Sequence, residues 1–351
     1  MHKDAKLTIA ALIVASLTIG TDFTGALLLV TPIEQDFAAD ITTTQWVLNI
    51  YALMFGVFMV TGGRLGDIYG HRRLILLGLA VFLAASVGCL AAPSIGWLIG
   101  SRAVQGIGAA LLWPCIVALG STSVAEDKRG LVMGLLMGGI TTGNVGGPLL
   151  AGVVTWLGDW RLFFLINTAM SALSMLLAWR FLQRETPGKV AERVDAGGIA
   201  VLGLALLTLL YALDVGADWG WTAPALIGLL AASAVLFAVF PVVEARAKDP
   251  LLPPSLMRNR EFLLTLSMNG LLIPALFIAF LYFPQYLQRT MGWSVLAAAF
   301  GVLPLMVLLA VGSVLGGRLY APFGPKRLLL TGYSLVTLGA ATIAVFKPSW
   351  G

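Results

Sequence analysis

The sequence is poor in charged residues and in histidine. Only 11% of its 351 residues are Asp, Glu, Lys or Arg, whereas about 25% is usual in a soluble domain. This shortage excludes a sizeable soluble domain. The two histidines, His2 and His71, are isolated from each other. We therefore expect no metal site, no cofactor and no Ser-His-Asp catalytic site.

Cysteine is equally scarce. Cys89 and Cys115 both fall in apolar segments without a histidine nearby. A cysteine in such surroundings behaves as a small hydrophobic residue. We expect both to be packing residues rather than a disulfide or metal ligands.

Long apolar runs fill most of the chain. Apolar residues make up 59% of the sequence, and its mean hydropathy is +0.92. A helix needs about 20 mostly apolar residues to cross the hydrocarbon core of a bilayer. The sequence therefore predicts an all-α, polytopic membrane protein surrounded by lipid. Eleven spans are predicted, at residues 7–30, 43–63, 74–92, 96–120, 131–155, 162–180, 196–214, 222–243, 262–287, 294–317 and 328–346.

The basic residues are unevenly distributed between the two sides of these spans. Of the 22 lysines and arginines, the segments opposite the N-terminus hold only Arg161, Arg289 and Lys347, and Arg102 lies within a span. Cytoplasmic loops carry an excess of basic residues, so we expect a cytoplasmic N-terminus in a plasma membrane, most simply a bacterial inner membrane. The net charge of +5 then reflects topology, and we expect no nucleic-acid partner.

One twelve-residue stretch occurs twice. Residues 62–73 read GGRLGDIYGHRR and residues 316–327 read GGRLYAPFGPKR, at a constant offset of 254 positions from Gly62 to Gly316. Each copy joins one predicted span to the next on the side of the membrane where the N-terminus lies, which we call the N-terminal side. Two related halves in the same orientation are the simplest explanation, a plan known for secondary transporters whose substrate site lies between the halves.

The same offset predicts how the chain is divided. The first copy follows the second span and the second copy follows the tenth, so two spans are inserted between halves of six. We expect a six-helix N-terminal bundle at 1–185, two extra helices at 186–255, and the first three helices of a C-terminal bundle at 256–351. The second half should end near residue 436, which is 254 positions beyond Leu182. We therefore expect a truncated sequence that lacks about three helices.

The first copy of the repeat resembles a known signature. It is similar to the cytoplasmic loop motif of the major facilitator superfamily, G-x-L-a-D-R-x-G-R-K, which joins the second and third helices. Ile68 replaces the arginine that follows the aspartate. In the family this aspartate helps to hold the two halves together, and its counterpart here is Asp67. The matching residues are Gly63, Leu65, Asp67, Gly70, Arg72 and Arg73.

Two ionisable residues lie deep in predicted spans. Asp22 lies in the first span and Arg102 in the fourth, at similar depths for a rise of about 1.5 Å per residue. Because a charge in the bilayer needs a partner and marks a transport pathway by default, we expect the two to pair, either structurally or as a proton or substrate site. The segment also resembles the family motif R-x-x-Q-G-x-G through Arg102, Gln105, Gly106 and Gly108.

The fifth predicted span contains small residues at every fourth position. Gly139, Gly143, Gly147 and Ala151 form a stripe against which another helix can pack closely. With the proline that follows, the stretch resembles the family's antiporter signature, g-x-x-x-G-P-x-x-G-G, which accompanies proton-coupled export. The matching residues are Gly143, Gly147, Pro148 and Gly152.

Longer stretches are similar to one branch of the family. The segments DITTTQWVLNIYAL at 40–53 and DPLLPPSLMRNREF at 249–262, together with the two extra spans, resemble the fourteen-spanner drug:proton antiporters. The first span departs from that branch, because DFTGALLLVTP keeps Asp22 and Thr24 but replaces a buried asparagine with apolar residues.

This resemblance implies a secondary active transporter rather than an enzyme. It would export small lipophilic compounds, cations among them, in exchange for protons by alternating access, and we expect a monomer. Asp22 and Arg102 would couple transport to protons. Polar residues that are candidates for lining the cavity are Asn49, Tyr51, Gln105 and Asn144. Two alternatives remain open, namely an exporter of metabolites or antibiotics for self-resistance and a non-functional transporter fragment.

Overall fold

The computed structural model describes residues 3–182, 195–247, 250–251, 259–293 and 295–345. Long helices joined by short turns account for most of these residues, which confirms the predicted all-α fold. The helices are α1 (Lys3–Gly25), α2 (Val30–Phe37), α3 (Ile41–Tyr69), α4 (His71–Leu90), α5 (Ile95–Thr122), α6 (Glu126–Trp156), α7 (Arg161–Phe181), α8 (Ala196–Trp219), α9 (Pro224–Glu244), α10 (Arg260–Arg289) and α11 (Val295–Val345).

Each predicted span overlaps one of these helices. The first span continues from α1 through a short 3₁₀ helix, Ala26–Leu29, into α2, and the last two spans lie in the two parts of α11. Eight of the described helical segments are long and apolar enough to cross a membrane. The chain is therefore a multi-pass membrane protein. The predicted boundaries at 185/186 and 255/256 lie outside the described residues, so the three-part division stays a prediction.

The two copies of the repeat form the same kind of turn. Gly70 separates α3 from α4 with a φ of 95°, and Gly324, at the same offset of 254, bends α11 with a φ of 73°. Positive φ values are accessible to glycine without steric cost. The repeated glycine therefore has the same backbone role in both copies of the repeat, which is to reverse the chain on the side of the N-terminus.

Two helices that start on the side opposite the N-terminus are capped by a side chain. Asp40 accepts a hydrogen bond from the backbone N–H of Thr43 at 2.8 Å at the start of α3, and Ser94 accepts one from Trp97 at 3.3 Å at the start of α5. These bonds satisfy backbone donors that have no partner within the helix. The bonds from Thr43 also hold the pKa of the Asp40 carboxyl below its usual value.

Helices α1 and α3–α7 pack into one bundle with two apolar clusters. Helix α1 packs on α6 and α7, while α5 packs on α3 and α4. One cluster lies toward the N-terminal side and the other toward the opposite side. The N-terminal-side cluster contains Leu12, Ile19, Ile75, Leu79 and Ala109, and the opposite cluster contains Leu29, Ile33, Leu98, Phe163 and Phe164.

Helices α8 and α9 pack on each other, and α8 packs on α3. The contact with α3 includes the rings of Trp46 and Tyr211, with centroids 5.8 Å apart, and a hydrogen bond from Asn49 to Asp214. Helix α8 continues to Trp219, beyond the predicted span that ends at residue 214, so Asp214 lies within the helix. A hydrogen bond to a neighbouring helix allows a carboxyl group to lie within a helix at this depth.

Helix α11 packs on α6 near the N-terminal side. A Cβ added to Gly317 would lie 2.7 Å from the carbonyl oxygen of Gly130, and one added to Gly134 would lie 3.0 Å from that of Ser313. Small residues at such contacts allow helix backbones to approach closely. Gly317 belongs to the second copy of the repeat, so this copy contributes directly to the contact between the predicted halves.

Candidate functional site

A buried ion pair lies between the two apolar clusters of the bundle. The guanidinium Nη1 of Arg102 lies 2.7 Å from Oδ2 of Asp22, and the two side chains are 1% and 0% exposed. Asp22 follows Ile19 on α1, and Arg102 follows Leu98 on α5, so each helix passes from one apolar cluster to the other through this polar layer. A buried pair of opposite charges offsets part of the cost of burying either charge alone.

Arg102 makes further contacts through its Nε, its Nη1 and the face of its guanidinium. Its Nε donates to the backbone carbonyl of Val47 on α3 at 3.0 Å, and its Nη1 also donates to Oε1 of Gln105 at 2.7 Å. The ring of Tyr51 stacks beneath the guanidinium, with 4.2 Å from Cζ to the ring centroid. These contacts fix the guanidinium in one position, as a cation within a membrane requires.

The second carboxylate oxygen of Asp22 contacts two amides. Nε2 of Gln105 donates to Oδ1 at 3.2 Å and to the hydroxyl of Ser86 on α4 at 2.9 Å. Nδ2 of Asn167 on α7 also donates to Oδ1. The site therefore draws side chains from α1, α3, α4, α5 and α7. Helix geometry places Arg102 and Asn167 about 9 to 11 Å from the starts of their helices, on the side opposite the N-terminus.

Asn167 and Ser86 are the members that sequence reasoning missed. Both are fully buried. A polar residue within an otherwise apolar span, as in RLFFLINTAM for Asn167, was the available signal. It was weak because a lone asparagine in a span is equally suited to an interhelical hydrogen bond elsewhere.

The four predicted cavity residues are not brought together. Tyr51 and Gln105 belong to the Asp22 site, whereas Asn49 bonds to Asp214 on α8. Asn144 lies on α6, where its backbone carbonyl accepts a hydrogen bond from Thr24 at 2.9 Å. The four residues therefore lie in three different helix contacts rather than in one cavity.

The predicted antiporter motif lies against α1. A Cβ added to Gly143 would overlap the carbonyl oxygen of Leu17, and one added to Gly147 would lie 2.7 Å from the backbone nitrogen of Gly25. Helix α6 is continuous through Pro148, and Gly152 is buried. These glycines bring the backbone of α6 into contact with the helix that carries Asp22.

The loop motif lies where α3 ends and α4 begins, on the same side of the bundle as the N-terminus. Oδ1 of Asp67 is 3.2 Å from Nε2 of His71, within the same turn. Arg72 donates to the carbonyl oxygens of Leu182 at 2.9 Å and Trp179 at 3.1 Å, which ties the turn to the end of α7. The motif therefore holds the bundle together at this end. Among the other members, Leu65 packs against the apolar core and Arg73 is exposed. A Cβ added to Gly63 would lie 3.4 Å from Cβ of Pro114.

An apolar cleft lies between α1, α6 and α11. Its volume is about 560 Å³. It is lined mostly by aliphatic side chains, with Thr142 and Arg318 as its polar members. The aliphatic side chains include Ile13, Leu17, Leu135, Val311 and Leu315. A cleft of this size can hold a drug-sized molecule, for which pockets of about 300 to 1,000 Å³ are typical.

Comparison with known proteins identifies the family. The sequence model of the Major Facilitator Superfamily matches residues 11–351. The chain belongs to this superfamily. The match covers nearly all of the chain, including the loop motif, the buried ion pair and the glycine-rich α6. The family that the motifs predicted is therefore confirmed.

Several curated relatives in the superfamily are named for antibiotic resistance. The chain is 32% identical to the methylenomycin A resistance protein of Bacillus subtilis (strain 168), over 89% of this chain and 67% of that protein. It is 29% identical to the tetracenomycin C resistance and export protein of Streptomyces glaucescens, over 93% and 61%. It is 32% identical to the puromycin resistance protein of Streptomyces alboniger, over 97% and 68%. The chain thus spans about two thirds of the length of these relatives, which are named as resistance and export proteins rather than enzymes.

Solved structures share the fold. A bacterial homologue of the human lysosomal transporter Spinster, in an inward-facing and unoccupied conformation, matches 93% of this chain and 64% of its own with a TM-score of 0.58 and 19% identity. A peptide transporter in complex with sulfate matches 69% and 53% with a TM-score of 0.50 and 16% identity. At these identities the comparison supports the helical architecture of the superfamily and nothing more specific.

Proposed function

We propose that this protein exports small lipophilic compounds in exchange for protons. The observation that carries the proposal is the fully buried ion pair of Asp22 and Arg102, at 2.7 Å. Ionisable residues inside a membrane are costly, and they typically belong to proton relays or substrate pathways. A carboxylate that can accept a proton while its arginine partner stays charged is a suitable coupling group.

Proton binding at Asp22 would act directly on α1. In the carboxylate form, α1 is tied to α5 by an ion pair, and protonation removes one of the two charges that hold this contact together. Leu17, five residues earlier on the same helix, lines the apolar cleft about 7 Å away along the axis. A shift of α1 relative to α5 would therefore reach the cleft.

The driving force is sufficient for export. One elementary charge that crosses 100 mV provides about 2.3 kcal/mol, and each unit of pH difference adds about 1.4 kcal/mol. One proton per cycle can thus support a substantial concentration gradient of a neutral compound, and more than one would be needed only for steeper gradients.

The apolar cleft supports a lipophilic substrate. Its lining from α1, α6 and α11 is largely aliphatic, so burial of apolar surface would supply most of the binding free energy. Three relatives are named for resistance to methylenomycin A, tetracenomycin C and puromycin. We therefore propose antibiotic-like natural products and drugs as the substrate class, with export for self-resistance as one setting.

The topology proposed here follows from the basic residues. We place the N-terminus in the cytoplasm of a bacterial cell and the protein in the plasma membrane, as a monomer. The proposed division is an N-terminal bundle at 1–185, two extra helices at 186–255 and part of a second bundle at 256–351. The packing of α8 on α9 supports the interpretation of these two helices as a pair.

The test is transport in vesicles that contain the purified chain. A fluorescent lipophilic compound is loaded, a proton gradient is imposed, and efflux is followed over time. We expect gradient-driven efflux by the wild-type chain and its loss in Asp22→Asn, which removes the titratable group but keeps the shape of the side chain.

A matched control is Asp36→Asn. Asp36 also lies in the N-terminal segment, but its carboxylate is partly exposed and bonded to Arg161 at 2.8 Å. Efflux by this variant should match the wild type. Unchanged proton-driven efflux in Asp22→Asn would contradict proton coupling at Asp22, and absence of efflux in the wild-type chain would contradict transport by this chain.

A further inference from the structure

The side chain of Asn167 is fully buried, but only one end of its amide is hydrogen-bonded. Its Nδ2 donates to Oδ1 of Asp22, whereas its own Oδ1 has no hydrogen-bond partner among the described residues. Leaving a buried acceptor unpaired is unfavourable, and most such groups in proteins have a partner. The orientation of this amide is therefore set by Asp22 and not by a second contact.

Gln105, the other amide at Asp22, differs because both of its ends are held. Its Oε1 accepts from Arg102 at 2.7 Å, and its Nε2 donates to Ser86 at 2.9 Å as well as to Asp22. A half-turn of this amide would place its NH₂ group against the guanidinium, with donor facing donor. Gln105 is thus fixed as a donor to Asp22.

No described hydrogen bond opposes the same half-turn in Asn167. Rotation about its Cβ–Cγ bond exchanges the NH₂ group and the carbonyl oxygen, which have nearly the same shape. A carboxylate only accepts hydrogen bonds, whereas a protonated carboxyl group has one O–H to donate. Because Arg102 and Gln105 both donate to Asp22, Asn167 is the contacting side chain that can accept from this O–H.

The other titratable groups near Asp22 have different positions. Arg102 comes from α5, the ring of Tyr51 from α3 lies over Arg102, and Cys89 from α4 contacts Gln105 at 3.8 Å. At the contacts of α1 with α6 and α7 near Asp22, the described partners are uncharged, and they include glycines on α6 and Ser174 and Asn167 on α7. The O–H of a protonated Asp22 would therefore meet an amide on the α7 side.

We propose that Asn167 is a positioning residue whose amide reverses direction when Asp22 gains or loses a proton. It donates to the carboxylate and, after a half-turn, accepts from the carboxylic acid. Asp22 keeps a hydrogen-bonded partner on α7 in both forms, so its proton can be bound and released without leaving the Asp22 carboxyl group itself without that partner. This inference rests on the proposed proton coupling at Asp22.

The test is a titration of Asp22 in the purified chain, followed by infrared difference spectroscopy. Protonation gives a carboxylic C=O band that is absent in Asp22→Asn. We expect the same step to change an amide carbonyl band in the wild type, and this change to be missing in Asn167→Leu. The midpoint in Asn167→Leu should rise by about one pH unit, because a hydrogen bond to a charged group is stronger than one to its neutral form.

Ser174→Ala is the matched control on the same helix. Its hydroxyl lies 2.8 Å from that of Thr18, so this variant loses an α1–α7 hydrogen bond without touching Asp22. It should titrate with the wild-type midpoint and band change. An equal shift in Ser174→Ala, or a wild-type midpoint and spectrum in Asn167→Leu, would overturn the proposal.

Asn167→Asp provides a second variant of nearly unchanged shape, for use if Asn167→Leu does not fold. Two carboxyl groups in contact share one proton, so its midpoint should rise further than that of Asn167→Leu. An unchanged midpoint would refute the contact. Because the titration requires no transport, a chain that titrates as described but shows no proton-driven efflux contradicts the proposed function alone.

Discussion

Replacing Gly143 with alanine should weaken the packing of α6 on α1. The added Cβ would overlap the carbonyl oxygen of Leu17 and lie 2.8 Å from the backbone nitrogen of Thr21, and both contacts are backbone atoms that cannot rotate away. Ordinary van der Waals contacts begin near 3.4 Å, so the two helices must separate by roughly 1 Å. This separation removes about a quarter to a half of the dispersion energy of each contact between α1 and α6. We expect a loss of about 1 to 3 kcal/mol in the free energy of unfolding.

Two other glycines of α6 provide a graded comparison. Gly146 has no atom within 4 Å of an added Cβ, so Gly146→Ala should be neutral or stabilising by up to about 1 kcal/mol, the helix-propensity gain. Gly134 faces Ser313 of α11 at 3.0 Å, so Gly134→Ala should fall between the other two. The assay is unfolding in mixed micelles followed by tryptophan fluorescence. Equal stability of Gly143→Ala and Gly146→Ala would refute the reasoning.

Two further predictions concern charged residues. Arg102→Leu should lower the free energy of unfolding by about 3 to 5 kcal/mol in the same assay, because it leaves the Asp22 carboxylate buried without its cation. Adding Asp22→Asn to this variant should recover part of the lost stability. A double variant that is no more stable than Arg102→Leu would contradict a direct pair. The hydrogen bonds from Thr43 lower the pKa of Asp40 in the folded protein, so the stability that this cap contributes to α3 is present above the ordinary pKa of an aspartate, about 3.9. That stability is lost as the pH falls through the lower pKa of the folded state. Backbone amide hydrogens in the first turn of α3 should lose protection from exchange in that acidic range. In Asp40→Ala the same amides should be poorly protected at every pH. Wild-type protection in that variant would argue against the cap.

The glycines of α6 serve two different contacts. Gly143 and Gly147 face α1, which carries Asp22, while Gly130 and Gly134 face α11 in the second copy of the repeat. One helix therefore touches both the helix with the buried carboxyl group and a helix of the other predicted half. A movement of α1 on α6 and a movement of α11 on α6 would share the same rigid element.

Sequence reasoning succeeded where a pattern is local. The apolar runs identified the helices because a spanning segment must be both long and apolar. The repeat identified Gly70 and Gly324 as equivalent, because a reversed chain at that point requires a residue that tolerates positive φ. The loop and antiporter motifs were sufficient to identify the superfamily.

Sequence reasoning was less successful for contacts between helices. Asn49, Asn144, Tyr51 and Gln105 are all polar residues within spans, but Asn49 and Asn144 lie in different helix contacts from the other two. A polar residue in a span must find some partner, but the rotation of each helix about its axis decides which one. Helix α8 also extends beyond residue 214, where the predicted span ends. Asp214 can lie within the helix because it bonds to Asn49, which is 165 positions away in the sequence.

The sequence by itself determined that this protein crosses a membrane, that one twelve-residue stretch occurs twice, and that Asp22 and Arg102 lie at similar depths. These follow from composition, period and the fixed rise of a helix. Only the tertiary structure decided that Asn167 and Ser86 join that pair, that Asp67 contacts His71, and that α6 packs on both α1 and α11. Such contacts depend on which faces of the helices meet, and that choice is made by packing across the whole bundle.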